Sequence, residues 1–104
     1  MKAAVYKGNR NFAIQEIPVP QINATQVLVK VKYCAICGTD VHTVMYDVLL
    51  PDSIIGHEYC GVIVEVGSEV TQWKIGDRVI GGGGDSPVGI PYGITADPRY
   101  SYKD

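Results

Sequence analysis

Residues 26–42 read QVLVKVKYCAICGTDVH, and the change of rhythm inside this stretch decides the fold class. From Gln26 to Tyr33 the period is two. Val27, Val29 and Val31 fall on one side and Lys30 and Lys32 on the other, as in a strand with one buried face. After Gly38 the period lengthens. Val41, Val44, Met45 and Val48 stand at i, i+3, i+4 and i+7, with Thr39 or Asp40 where an N-cap would be, so the spacing predicts a short helix over 40–47. Upstream, Lys2–Tyr6 and Phe12–Ile17 alternate in the same way as Gln26–Tyr33, and the three segments together predict a meander. Pro18 and Pro20 end the second segment because proline cannot donate to a sheet ladder, and Gln21–Thr25 makes a polar turn. Downstream, Ile54–Val66 is the longest strand candidate. It places Val62, Val64 and Val66 on one face and Ile63 and Glu65 on the other, and Gly67 closes it. Val70–Ile75 then connects around Trp73, expected in the core or as a lid over it, and Gly76-Asp77-Arg78 turns into a short strand at Val79-Ile80. The expected fold class is mainly β with one short helix.

The composition agrees. The chain has 104 residues, 46% hydrophobic, with 12 Gly and 6 Pro, which suits one small turn-rich domain better than a helical bundle or a disordered chain. Nine Lys and Arg against eleven Asp and Glu leave a net charge of -2, so there is no basic stripe to hold a nucleic acid. The start, MKAAVYKGNR, carries only a short apolar run between lysines, and no later run approaches a membrane span. We therefore expect a cytoplasmic chain with neither a nucleic-acid nor a membrane partner. In that compartment Cys34, Cys37 and Cys60 read as thiols or ligands rather than disulfides. The core is expected over residues 1–80. Residues 81–104 hold six of the twelve glycines and three of the six prolines, with a weak alternation at Ile90, Tyr92 and Ile94, and are expected to be loop or an incomplete continuation. The glycines at 81–84 do not form a phosphate loop, because no spacing within GGGGDSPVG gives G-x-G-x-x-G.

Side chains that carry chemistry cluster in CAICGTDVH at 34–42 and GHEYCG at 56–61. A thiolate and an imidazole are both good zinc ligands, and catalytic zinc needs only three protein groups. Cys37 and His57 are separated by a span that a strand, a short helix and a returning strand can fold into contact, and Glu58 adds a carboxylate. Strict alternation puts His57 and Glu58 on opposite faces, with Glu58 on the face of Val62 and Val64; an irregular strand start after Gly56 would relax this. Each residue also has a plainer reading. Cys37 could be a small buried hydrophobe, His57 a core histidine, His42 a helix-surface histidine, Thr39 and Asp40 capping residues, and Glu58 a solvated carboxylate. Cys34-Ala-Ile-Cys37 is also a C-x-x-C of the thiol oxidoreductase kind, but such folds need long amphipathic helices, and only one short helix is foreseen.

Four blocks in order, KAAVY, VLVKVKYCAICGTDVH, GHEYCGVIVEVGSEV and WKIGDRV, resemble the amino-terminal catalytic domain of zinc-dependent medium-chain alcohol and polyol dehydrogenases. The resemblance covers residues 1 to about 80. It implies a GroES-like partial β-barrel carrying a catalytic zinc, with Cys37 and His57 as ligands and Glu58 either behind the metal or, as in the polyol branch, ligating it. It further implies that the Thr39 hydroxyl contacts the substrate oxygen, that His42 continues the proton path, and that Asp40 orients the loop. In such enzymes zinc polarises the oxygen of a small alcohol, polyol or aldehyde, and hydride passes to NAD or NADP. The four-cysteine lobe of many members has no counterpart after Ile80, so no structural zinc is expected. Nor is a Rossmann domain expected within this length. The chain reads as a fragment of a longer dehydrogenase, inactive alone and homo-oligomeric when full length; the alternative is a stand-alone GroES-like binding or structural module.

Overall fold

The computed structural model describes residues 1–81 and 101–103; of the loop or incomplete continuation expected over 81–104, residues 82–100, with the weak alternation at Ile90, Tyr92 and Ile94, lie outside the described residues, and Ser101–Lys103 form a strand. Strands β1 (Lys2–Gly8) and β2 (Asn11–Glu16) form an antiparallel two-stranded sheet. The connection is tight. Asn9 and Arg10 both take positive φ, 49° and 62°, the backbone hand that matches the twist of a hairpin. Tyr6 is fully buried. Its hydroxyl donates to the Asp47 carboxylate and accepts the Arg10 N–H at 3.1 Å, and its ring meets the edge of Phe12 at 5.3 Å. The backbone of Tyr6 also holds the loop before the second half of the chain, through Tyr6 N–H to Ser53 O at 2.8 Å and Asp52 N–H to Tyr6 O at 2.6 Å.

The second sheet is antiparallel, with β3 (Val27–Ala35), β4 (Glu58–Val66), β5 (Arg78–Gly81) and β6 (Ser101–Lys103) in that order. The predicted meander is therefore broken after two strands, since β3 pairs with β4 and not with β2. The polar turn at Asn23–Thr25 redirects the chain: Asn23 Oδ1 accepts the Thr25 N–H at 3.0 Å and Asn23 O accepts the Gln26 N–H at 3.3 Å. The core joins three neighbouring strands through Val27, Ile63 and Val79, with Val29, Tyr59, Val66, Val70 and Trp73 packed against them.

Two expectations about β4 are corrected. Its pairing begins at Glu58, and Ile54 makes only an isolated bridge to Val5. Gly56, at φ +118°, turns the chain where regular pleating would otherwise continue. The buried face is also the other one: Ile63 is 0% exposed and Val64 41% exposed, because the Lys30–Val62 and Val29–Ile63 rungs turn Ile63 inward between Val27 and Val79. Gly61 sits opposite Val31, where the register shifts between Val31 and Tyr33. A Cβ on Gly61 would stand 2.4 Å from Lys30 O, so only glycine lets the two backbones approach there.

The helix α1 spans Gly38–Met45, two residues earlier than predicted. Cys37 is the N-cap residue, and neither Thr39 nor Asp40 takes that place. Asp40 still caps, from the third helical position: its Oδ2 accepts the Cys37 N–H at 2.9 Å, the reciprocal half of a capping box.

Candidate metal centre

The turn from β3 into α1 and the start of β4 meet at one end of the larger sheet. The final rungs of the β3–β4 ladder are Cys34 with Tyr59 and Ala35 with Glu58. Cys37 lies just past the end of β3, and His57 just before β4. One ligand atom from each of Cys37, His57 and Glu58 lies within 4.8 Å of the others. Cys37 and His57 are half-buried and Glu58 is exposed. The irregular backbone at Gly56 therefore brings together two neighbours that strict alternation would have separated. A soft thiolate, an imidazole and a carboxylate are donor types of catalytic zinc sites, and this trio fits such an ion.

Asp40 organises the group. It is buried; its Oδ2 caps Cys37 as described, and its Oδ1 lies 3.3 Å from His57 Nδ1. One carboxylate thus ties together the two elements that carry the ligands. An imidazole that donates through Nδ1 ligates through Nε2, with its ring orientation fixed by the acceptor. The contact with His57 was missed in the sequence, where Asp40 was read as a cap or an orienter of its loop. The three-residue step from Cys37 to Asp40 signals the cap, but no local pattern signals the contact with His57, which lies on another element.

Thr39 and His42 stand three residues apart on α1, which puts them on one helical face. Thr39 is exposed and its Oγ1 is 3.8 Å from Cys37 Sγ. His42 is exposed, with its ring edge-on to Tyr46 at 6.2 Å between centroids, and no described contact joins it to the Cys37, His57 and Glu58 trio. Cys34 lies close by without joining the trio. Cys34 is exposed on the strand, and partial desolvation raises its thiol pKa, with the Asp40 and Glu58 carboxylates adding to the effect. All three cysteines are free thiols.

Comparison with known proteins identifies the domain. The family model for the alcohol dehydrogenase GroES-like domain matches residues 23–89. The chain belongs to that family. Among curated relatives of this GroES-like chain, an uncharacterized zinc-type alcohol dehydrogenase-like protein, AdhB of Bacillus subtilis, is 42% identical over 107 residues, 100% of this chain and 26% of that protein. Sorbitol dehydrogenase of Bacillus subtilis is 45% identical over 84 residues, 76% of this chain and 24% of that one. Among solved structures, an alcohol dehydrogenase superfamily protein from Novosphingobium aromaticivorans superposes with a TM-score of 0.84 at 27% identity, covering 99% of this chain and 34% of that one. A dehydrogenase from Sinorhizobium meliloti 1021, solved with NADP, gives 0.80 at 26%, covering 98% and 37%. The chain thus spans about a quarter of the length of these curated relatives. Its fold is the mainly β, GroES-like partial barrel, with one short helix among the described residues, the amino-terminal domain type of zinc-dependent dehydrogenases.

Proposed function

We propose that this chain is the zinc-binding catalytic portion of an NAD(P)-dependent alcohol or polyol dehydrogenase, with residues 1–80 as its working core and 81–104 as a Gly/Pro-rich continuation. The observation that carries the reading is the approach of Cys37, His57 and Glu58 to within 4.8 Å. Zinc bound there supplies a Lewis acid for the substrate oxygen of a small alcohol, polyol or aldehyde and lowers the pKa of the alcohol.

The protein's own groups do the rest. Cys37 and His57 hold the metal, Asp40 fixes the ring of His57, and Glu58, the most exposed of the trio, supplies the third donor. The Thr39 hydroxyl accepts the proton leaving the substrate, a role supported by its distance of 3.8 Å from Cys37 Sγ. His42, one helical turn further, is the group that passes that proton to solvent. Hydride acceptance belongs to NAD or NADP on a Rossmann domain. Structural zinc, a nucleic-acid partner and a membrane partner have no part in the proposal, and no helix among the described residues is long and apolar enough to cross a membrane. The working form is proposed as a cytoplasmic homo-oligomer of the full-length dehydrogenase.

Zinc content of the purified chain tests the site. The expected result is one zinc per chain, lost in Cys37→Ser and His57→Ala. Zinc-free protein that is indifferent to both substitutions overturns the proposal and favours a binding or structural module. Reduction of NAD or NADP by alcohols is expected to be undetectable with these 104 residues alone; clear turnover refutes the need for a separate nucleotide-binding half.

A further inference from the structure

Gly56 is buried and holds φ +118° immediately before His57. A Cβ built on Gly56 would stand 2.8 Å from Cys34 Sγ, and among the described residues no other atom beyond its chain neighbours lies within 4 Å of that position. The sulfur therefore fills the space that a side chain at 56 would occupy. Cys34 is itself fixed on β3, one rung from the end of the ladder, opposite Tyr59. From these facts we infer that Cys34 is a positioning residue: its sulfur is the stop against which the Gly56 turn rests, and it sets where His57 enters the metal centre.

This inference rests on the proposed metal site, but it assigns Cys34 a role that neither a ligand set nor a redox pair requires. The side chain acts by its size. A smaller group lets the turn relax toward β3, and a larger one pushes Gly56, and His57 with it, away from Cys37. Cys34 lies outside the three-strand core, and the metal-free unfolding midpoint reports whether a replacement reaches that core through Tyr59, its rung partner.

The test is cobalt(II) titration of the 104-residue chain and of Cys34→Ser, Cys34→Ala and Cys34→Leu. The readouts are the cobalt d–d spectrum, the sulfur-to-cobalt charge-transfer band, and the unfolding midpoint of each metal-free form. Cys34→Ser is close in size and is expected to bind like the parent with an unchanged charge-transfer band. Cys34→Leu is expected to lose about tenfold or more in cobalt affinity, the scale of other outer-shell changes, with Cys34→Ala between. Both should shift the d–d spectrum while the metal-free midpoints stay together. Equal affinity and spectra in Ala and Leu overturn the inference. So does a Ser variant as weak as Leu with a diminished charge-transfer band, since the thiol would then be a ligand. Should Leu fail to fold, the Ser and Ala pair decides alone, as neither adds bulk. A parent chain that takes up no cobalt defeats the metal-site proposal itself, and this inference with it.

Discussion

At the scale of single residues, two carboxylates in this chain do what sequence position alone would not assign them. Asp40 spans Cys37 N–H and His57 Nδ1 with its two oxygens, so Asp40→Asn separates its two duties. The amide oxygen can still accept from Cys37, while the negative partner of His57 is lost. Helix content should stay near that of the parent while zinc affinity falls about tenfold, measured by competition with a coloured chelator. Asp47, in the loop after α1, is the second case. It accepts the hydroxyl of Tyr6, and that bond together with burial raises the phenol pKa above 10.0. The unfolded phenol gives up its proton first. The stability this group contributes is therefore complete below pH 10 and is lost as pH climbs through the higher native value. Denaturant midpoints at rising alkaline pH should fall for the parent, and Tyr6→Phe should be less stable at pH 8 but decline less steeply. Parallel curves for the two proteins would show that another group carries the alkaline transition.

At the scale of elements, the three-strand core makes Ile63 and Val64 adjacent residues of opposite consequence. Ile63→Ala should cost about 2–5 kcal/mol, as large-to-small changes at fully buried sites do, whereas Val64→Ala should stay within about 0.5 kcal/mol as an exposed change. Urea unfolding of the two variants reads the difference directly. This pair also marks how far the sequence could be read. The strand at 26–33 and the helix after Gly38 were legible because their apolar spacing is local. In β4 an isoleucine is flanked on both sides by valine, so periodicity reads equally well in either phase, and only pairing with β3 and β5 decides which side is covered. Helix onset was missed for a related reason. Asp40 looks like a cap, and it caps from inside the first turn, a choice fixed by the Cys37 N–H that it reaches. Of the candidate site, the residue types of Cys37, His57 and Glu58 could be read from the chain. Their meeting was allowed by the spacing and implied by the family resemblance, but its geometry was not legible, because it depends on the φ of Gly56 and on the last β3–β4 rungs.

At the scale of the whole molecule, the small hairpin and the larger sheet are linked through the stretch between α1 and β4. Tyr6 grips that stretch at Asp47, Asp52 and Ser53, and its far end delivers His57 to the metal centre. Cys37 and His57 are twenty positions apart in the chain. The Ala35–Glu58 rung already brings the two ends of the helix-and-loop excursion side by side, and a metal ion on Cys37 and His57 would fasten them one step further out. The unfolded chain does not keep the site, so the ion stabilises the native state by binding it alone, with about 2.7 kcal/mol at stake when free metal is about a hundredfold above its dissociation constant. Stripping the metal with a chelator should then lower the melting midpoint by on the order of 10 °C, and Asp40→Asn should narrow the gap between loaded and stripped protein. A site ordinarily valued for its reactivity would serve this small β domain equally as its clasp.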